Sequence, residues 1–129
     1  MQNPKILILG SGDQPRLRRA LAESDFVPCT RASIRSALDM VRHERPAAVV
    51  VNGRRASEDP LEFVLNVRDV DEHVPVLVFG LRGWTDHDKR VLCKARATVA
   101  EAGTEASDVP RLVRQVLETR LAGDTANPE

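Results

Sequence analysis

The stretches with most chemical potential are short, rich in glycine, asparagine and arginine, and follow apolar runs. Gly10-Ser11-Gly12 comes directly after the run ending at Leu9 and just before an amphipathic segment. Backbone N–H groups in such a turn, with a helix N-terminus behind them, can hold an anion. The spacing stops short of a dinucleotide fingerprint. Pro15 stands where the third glycine belongs, and the second apolar run closes on Thr30-Arg31 without a ribose-binding acid. A tight turn is the simpler reading of the glycines. Arg54-Arg55, just past Asn52, would add positive charge to the same region and favour a phosphate-bearing ligand, with Gly12 and Arg54 as its anion contacts. A solvated surface pair is the plainer alternative.

Other reactive side chains are scattered. Ser11 has no His or Asp pattern to activate it, and the chain lacks a nucleophile elbow, so catalysis is not expected. His43, His73 and His87 have no ligand spacing with a third donor, which predicts surface histidines, no metal site and no cofactor. Cys29 and Cys93 form neither a CxxC nor a Cys/His pattern and read as small buried hydrophobes of a reducing cytosol. Trp84, the single tryptophan, either packs over a neighbouring helix or anchors an interface.

Strand-length apolar runs alternate with helix-length amphipathic stretches, and this alternation must position those residues. Lys5 to Leu9, Ala47 to Val51 and Val74 to Phe79 are nearly continuous apolar runs, as for strands buried on both faces. Phe26 to Thr30 is a shorter strand whose Pro28 places it at a sheet edge. Thr98 to Ala102 is a weak fifth strand. Helices are expected after Asp13 as cap with Pro15 in the first turn, after Ser33, after Asp59-Pro60, after Thr85 and after Asp108. Gly123 ends the last of them, giving one domain over residues 1–122 and a frayed tail over 123–129. Five strands alternating with five helices imply an α/β, doubly wound parallel sheet, with any site at the C-terminal ends of its strands.

The pattern resembles the receiver domain of bacterial two-component response regulators, a (βα)5 flavodoxin-like fold with strand order 2-1-3-4-5. The resemblance runs from about Lys5 to Leu121 and is strongest in Arg45-Pro46-Ala47-Ala48-Val49-Val50-Val51-Asn52, Asp59-Pro60-Leu61-Glu62-Phe63-Val64 and Val74-Pro75-Val76-Leu77-Val78-Phe79. It implies a phosphoacceptor aspartate after the third strand, and that position holds Asn52. The metal-binding acid pair falls on Gly10 and Ser11, the switch hydroxyl on Gly80, the phosphate-pairing lysine on Ala102 or Gly103, and the switch aromatic on Val99 or Ala100. An amide is not a nucleophile at neutral pH, and Mg²⁺ needs hard oxygen ligands that glycine and serine do not replace. The resemblance therefore implies a degenerate pseudo-receiver. The remaining route to a working acceptor is a displaced acid such as Asp59, whose loop position fits that role poorly.

Composition narrows the partners. The 129 residues carry 19 Lys+Arg against 19 Asp+Glu, so there is no basic surplus for coating nucleic acid or an anionic membrane. At 42% hydrophobic and 29% charged the chain is that of a globular domain, while 3% aromatic leaves little for stacking a flat cofactor. No run approaches the roughly 18 apolar residues of a membrane span, and no signal peptide opens the chain, so a cytoplasmic location is expected. The resemblance implies a phosphorylation-independent signalling module that contacts a histidine kinase, an output domain or another regulator, either alone or as the N-terminal part of a larger protein. It also implies a homodimer option through the fourth helix, fifth strand and fifth helix. The alternative function is a sensor for a phosphate-containing metabolite or nucleotide in the degenerate pocket.

Overall fold

Valine, isoleucine and leucine build the centre of the sheet. In the computed structural model, which describes residues 3–10, 14–53, 59–80, 84–101 and 103–126, β1 (Lys5–Leu9), β3 (Ala48–Asn52) and β4 (Val76–Phe79) are buried along almost their whole length. A one-sided sheet would alternate, so these strands need cover on both faces. β2 (Val27–Arg31) and β5 (Ala97–Val99) are only partly buried and form the edges. All pairs are parallel, and the order is β2-β1-β3-β4-β5. This is the 2-1-3-4-5 order of a doubly wound flavodoxin-like domain, with Pro28 on an edge strand as expected.

The two-residue period of the strands divides the core. Leu7, Leu9, Val49, Val51, Val76 and Val78 face α2 (Ile34–Glu44), α3 (Pro60–Val70) and α4 (Asp86–Lys94), packing with Met40, Phe63, Val67 and Leu92. Ile6, Ile8, Val50, Leu77 and Phe79 face the other way, against Leu17 and Leu21 of α1 (Pro15–Glu23) and Val109 and Val113 of α5 (Val109–Ala126).

Local chemistry sets where the helices begin. Ser33 Oγ accepts from Ser36 N at 3.2 Å, and Asp59 Oδ1 from Leu61 N at 2.9 Å, ahead of Pro60 in the first turn. Thr85 and Asp88 close a reciprocal capping box at 3.1 and 3.2 Å. Arg68, near the end of α3, is a strut. Its guanidinium donates to the carbonyls of Ala95 (2.6 Å), Val74 (2.7 Å), Asp71 (3.2 Å) and Arg96 (3.2 Å), tying α3 to the start of β4 and to the turn before β5. Burial, and then the charge of Arg96, hold it below the ordinary guanidinium value, while Asp71 pulls the other way. Across the molecule, Arg114 of α5 sits 5.8 Å over the Phe26 ring and donates to Ser24 O at 2.9 Å.

Four expectations are corrected. The fifth strand is Ala97–Val99 rather than 98–102, because its parallel partner β4 is only four residues long. The residue at the α1 cap is Gln14 and not Asp13, which lies outside the described residues. Helix α5 runs through Gly123 to Ala126, since one glycine weakens a helix by only about 1 kcal/mol and need not end it. Residues 123–126 of the expected tail are thus helical. Cys93 is exposed on α4, and Cys29 is half-buried on the edge strand. Neither belongs to the sealed core.

Candidate functional site at the carboxyl edge of the sheet

Parallel pairing brings the ends of β1, β3 and β4 to one edge. Buried Gly10 follows β1 and donates to Arg31 O at 3.1 Å. Asn52 ends β3 opposite Phe79, and Gly53 N donates to Phe79 O at 2.7 Å. Gly80 follows β4 with φ 75°, a left-handed conformation that suits glycine and strains a side chain with a Cβ.

Asn52 is half-buried, and its Nδ2 donates to Gln14 Oε1 at 2.9 Å. Gln14 was not singled out by the sequence reading. It is the only buried polar side chain among the described residues, 8% exposed, and it sits in the left-handed region at φ 47°, ψ 58°. For a non-glycine residue that costs about 1–2 kcal/mol. The conformation turns the chain from the glycine stretch into α1, where Arg18 N donates to Gln14 O at 3.0 Å. The Gln14 Nε2 donor is buried with no acceptor among the described residues. Only one signal in the sequence could have found it: a glutamine directly before a first-turn proline occupies a cap position that serine, threonine, aspartate or asparagine usually fills.

The remaining expected site residues divide. Ser11, Gly12, Arg54 and Ala102 lie outside the described residues. Val99 and Ala100, at the place of the family's aromatic, are half-buried, one toward each core. Trp84 is half-buried against the α2–α3–α4 core, so its packing reading has direct support. Asp59 is committed to capping α3. The three histidines are exposed and far apart in the chain, as expected of surface residues. Among the described residues, no group of three His, Cys, Asp or Glu side chains could hold a metal ion, and no helix is long and apolar enough to cross a membrane.

A cavity of about 930 Å³ adjoins Asn52 and Gln14. Arg16, Arg19 and other residues of α1 form one wall, and residues 104–107 the other. What this edge offers chemically is hydrogen bonding and charge recognition: its described members include neutral amides, glycine backbone, arginines, the hydroxyls of Thr104 and Ser107, and the carboxylates of Glu23 and Glu105.

No family model matches the chain, and no curated protein sequence matches it significantly. Solved structures do. The receiver domain of a CheY-like response regulator from Methanospirillum hungatei JF-1 superposes with a TM-score of 0.79 at 10% identity, over 92% of this chain and 97% of that one. Chemotaxis protein CheY4 of Vibrio cholerae gives 0.73 at 18% identity, over 88% and 98%. NtrX from Brucella abortus, solved in complex with ATP, gives 0.77 at 17% identity, over 98% of this chain but 29% of that longer one. At such identities the likeness establishes the fold, which is that of CheY-like receiver domains.

Proposed function

We propose that this chain is a receiver-like signalling module that works by protein–protein contact, in a two-component type of pathway, without accepting a phosphoryl group. The observation that carries this is the hydrogen bond between Asn52 Nδ2 and Gln14 Oε1. Two neutral amides meet at the edge where a receiver of this fold would keep an acceptor carboxylate and a cation. An amide nitrogen donating to a neighbour has neither the charge to hold Mg²⁺ nor the nucleophilic oxygen to attack phosphorus. Gly10 and Gly80 add no carboxylate and no hydroxyl at the flanking positions.

A domain that keeps the fold and loses the phosphotransfer groups retains a surface to be recognised. Its partners are then a kinase, an output domain or another regulator, met in the cytoplasm. Contact through α4, β5 and α5 would have to come from exposed residues such as Arg90 and Lys94 rather than from Trp84, which is committed in part to the core.

The test is incubation of the chain with acetyl phosphate and Mg²⁺, followed by intact-mass measurement, with a beryllofluoride titration by NMR beside it. No phosphoryl mass gain and no shift around Asn52 are expected. A stoichiometric mass gain on any aspartate would overturn phosphorylation independence.

A further inference from the structure

We propose that the cavity between α1 and residues 104–107 binds a small molecule through an oxyanion, a phosphate or a carboxylate. Its volume of about 930 Å³ lies in the range of small-ligand sites. Three observations converge on its Gln14 end. Gln14 lines the cavity, is more than nine-tenths buried, and has an Nε2 donor without an acceptor among the described residues. Leaving such a donor unmet costs about 1–3 kcal/mol, and an oxyanion is the acceptor that would relieve it.

The second observation is the start of α1. The helix has nine residues, no side-chain cap hydrogen bond and no acid in its first turn, so the helix itself supplies no negative partner for its first N–H groups and positive dipole end. Third, Arg16 and Arg19 lie three residues apart on the face that lines the cavity. Both are exposed, and neither forms an ion pair among the described residues. Arg16 in the first turn, with Arg19 one turn on, opposes the helix dipole until an anion joins them, and their planar donors match phosphate and carboxylate oxygens.

The acids around the cavity set the ligand's polarity. Glu105 lines the wall across from the arginines, and Glu23 is seven residues beyond Arg16, about 10 Å along the axis at 1.5 Å per residue. Negative charge is therefore favoured at the Gln14–Arg16 end, and the far end of the ligand is neutral or cationic. Apolar surface from Leu17, Ala20 and Phe79 lies between. Binding here is independent of phosphotransfer at Asn52, because it is measured in chelator with no phosphodonor present.

The full ¹⁵N-labelled chain is titrated with inorganic phosphate, and separately with acetate, in EDTA at ionic strength held constant with chloride. Saturable shifts are expected at the Gln14 side-chain amide and at the backbone amides of Arg16, Leu17 and residues 104–107. Arg16→Ala with Arg19→Ala, both exposed positions, should weaken the response at least tenfold while leaving the rest of the spectrum in place. Saturation by phosphate assigns a phosphoester, and saturation by acetate a carboxylic acid; either supports the site. If neither anion saturates, or the double variant responds like the parent, the proposal is overturned.

Discussion

At Asn52 the change from carboxylate to amide alters both charge and hydrogen-bond direction. An aspartate could only accept, so in Asn52→Asp the Gln14 amide must rotate and present Nε2, the donor now buried without a partner. The variant gains an acceptor for that donor while placing a charge beside it, and its stability is expected to stay within about 1 kcal/mol of the parent in urea denaturation. It should still take up no phosphoryl group from acetyl phosphate, because no acid at Gly10 or hydroxyl at Gly80 accompanies the new carboxylate. Phosphorylation of Asn52→Asp would show that a carboxylate at this one position is enough for phosphotransfer. Gly80 carries a separate prediction. Its φ of 75° strains a β-branched side chain, so Gly80→Thr, which places a hydroxyl at the end of β4, should cost about 1–3 kcal/mol by the same measurement.

Among the elements, the ends of α3 and α4 show how a few polar groups position the sheet edge. Replacing Thr85 with Ala removes one half of a capping box and should cost about 1 kcal/mol, with α4 the first helix to lose amide protection in hydrogen exchange. Arg68→Lys should cost more, about 2–3 kcal/mol in chemical denaturation, because an ammonium cannot fork to the carbonyls of Val74, Ala95 and Arg96 together. If the lysine variant is as stable as the parent, the strut is dispensable. The same elements show what was readable beforehand. Asp59-Pro60, Ser33, Thr85 and Pro28 announce caps and an edge strand because each acts through its own backbone geometry. The role of Arg68 depends on carbonyls as many as 28 residues away, and that of Gln14 on an asparagine 38 residues on. Neither contact leaves a local pattern. Gly123 misled for the opposite reason: a local stop signal is weak enough for a continuing helix to override.

For the molecule as a whole, the sheet is the shared wall of two cores, and this determines how it unfolds. Phe63 and Leu21 are both fully buried, one on the α2–α3–α4 side and the other on the α1–α5 side. Truncating either leaves a cavity, with expected costs of about 3–5 kcal/mol for Phe63→Ala and about 2–5 kcal/mol for Leu21→Ala. Neighbouring strand residues such as Ile8 and Leu9 face opposite cores, so neither layer can melt without taking away the other's floor. Trp84, half-buried on the Phe63 side, reports on one layer only. If the two cores form one cooperative unit, Leu21→Ala should move the Trp84 fluorescence transition by as much as the far-UV circular dichroism transition, and the two curves should coincide in both variants. Separate midpoints, with the fluorescence curve unmoved by Leu21→Ala, would mean that the α1–α5 layer, and with it the Gln14–Asn52 contact and the adjoining cavity, opens independently of the rest.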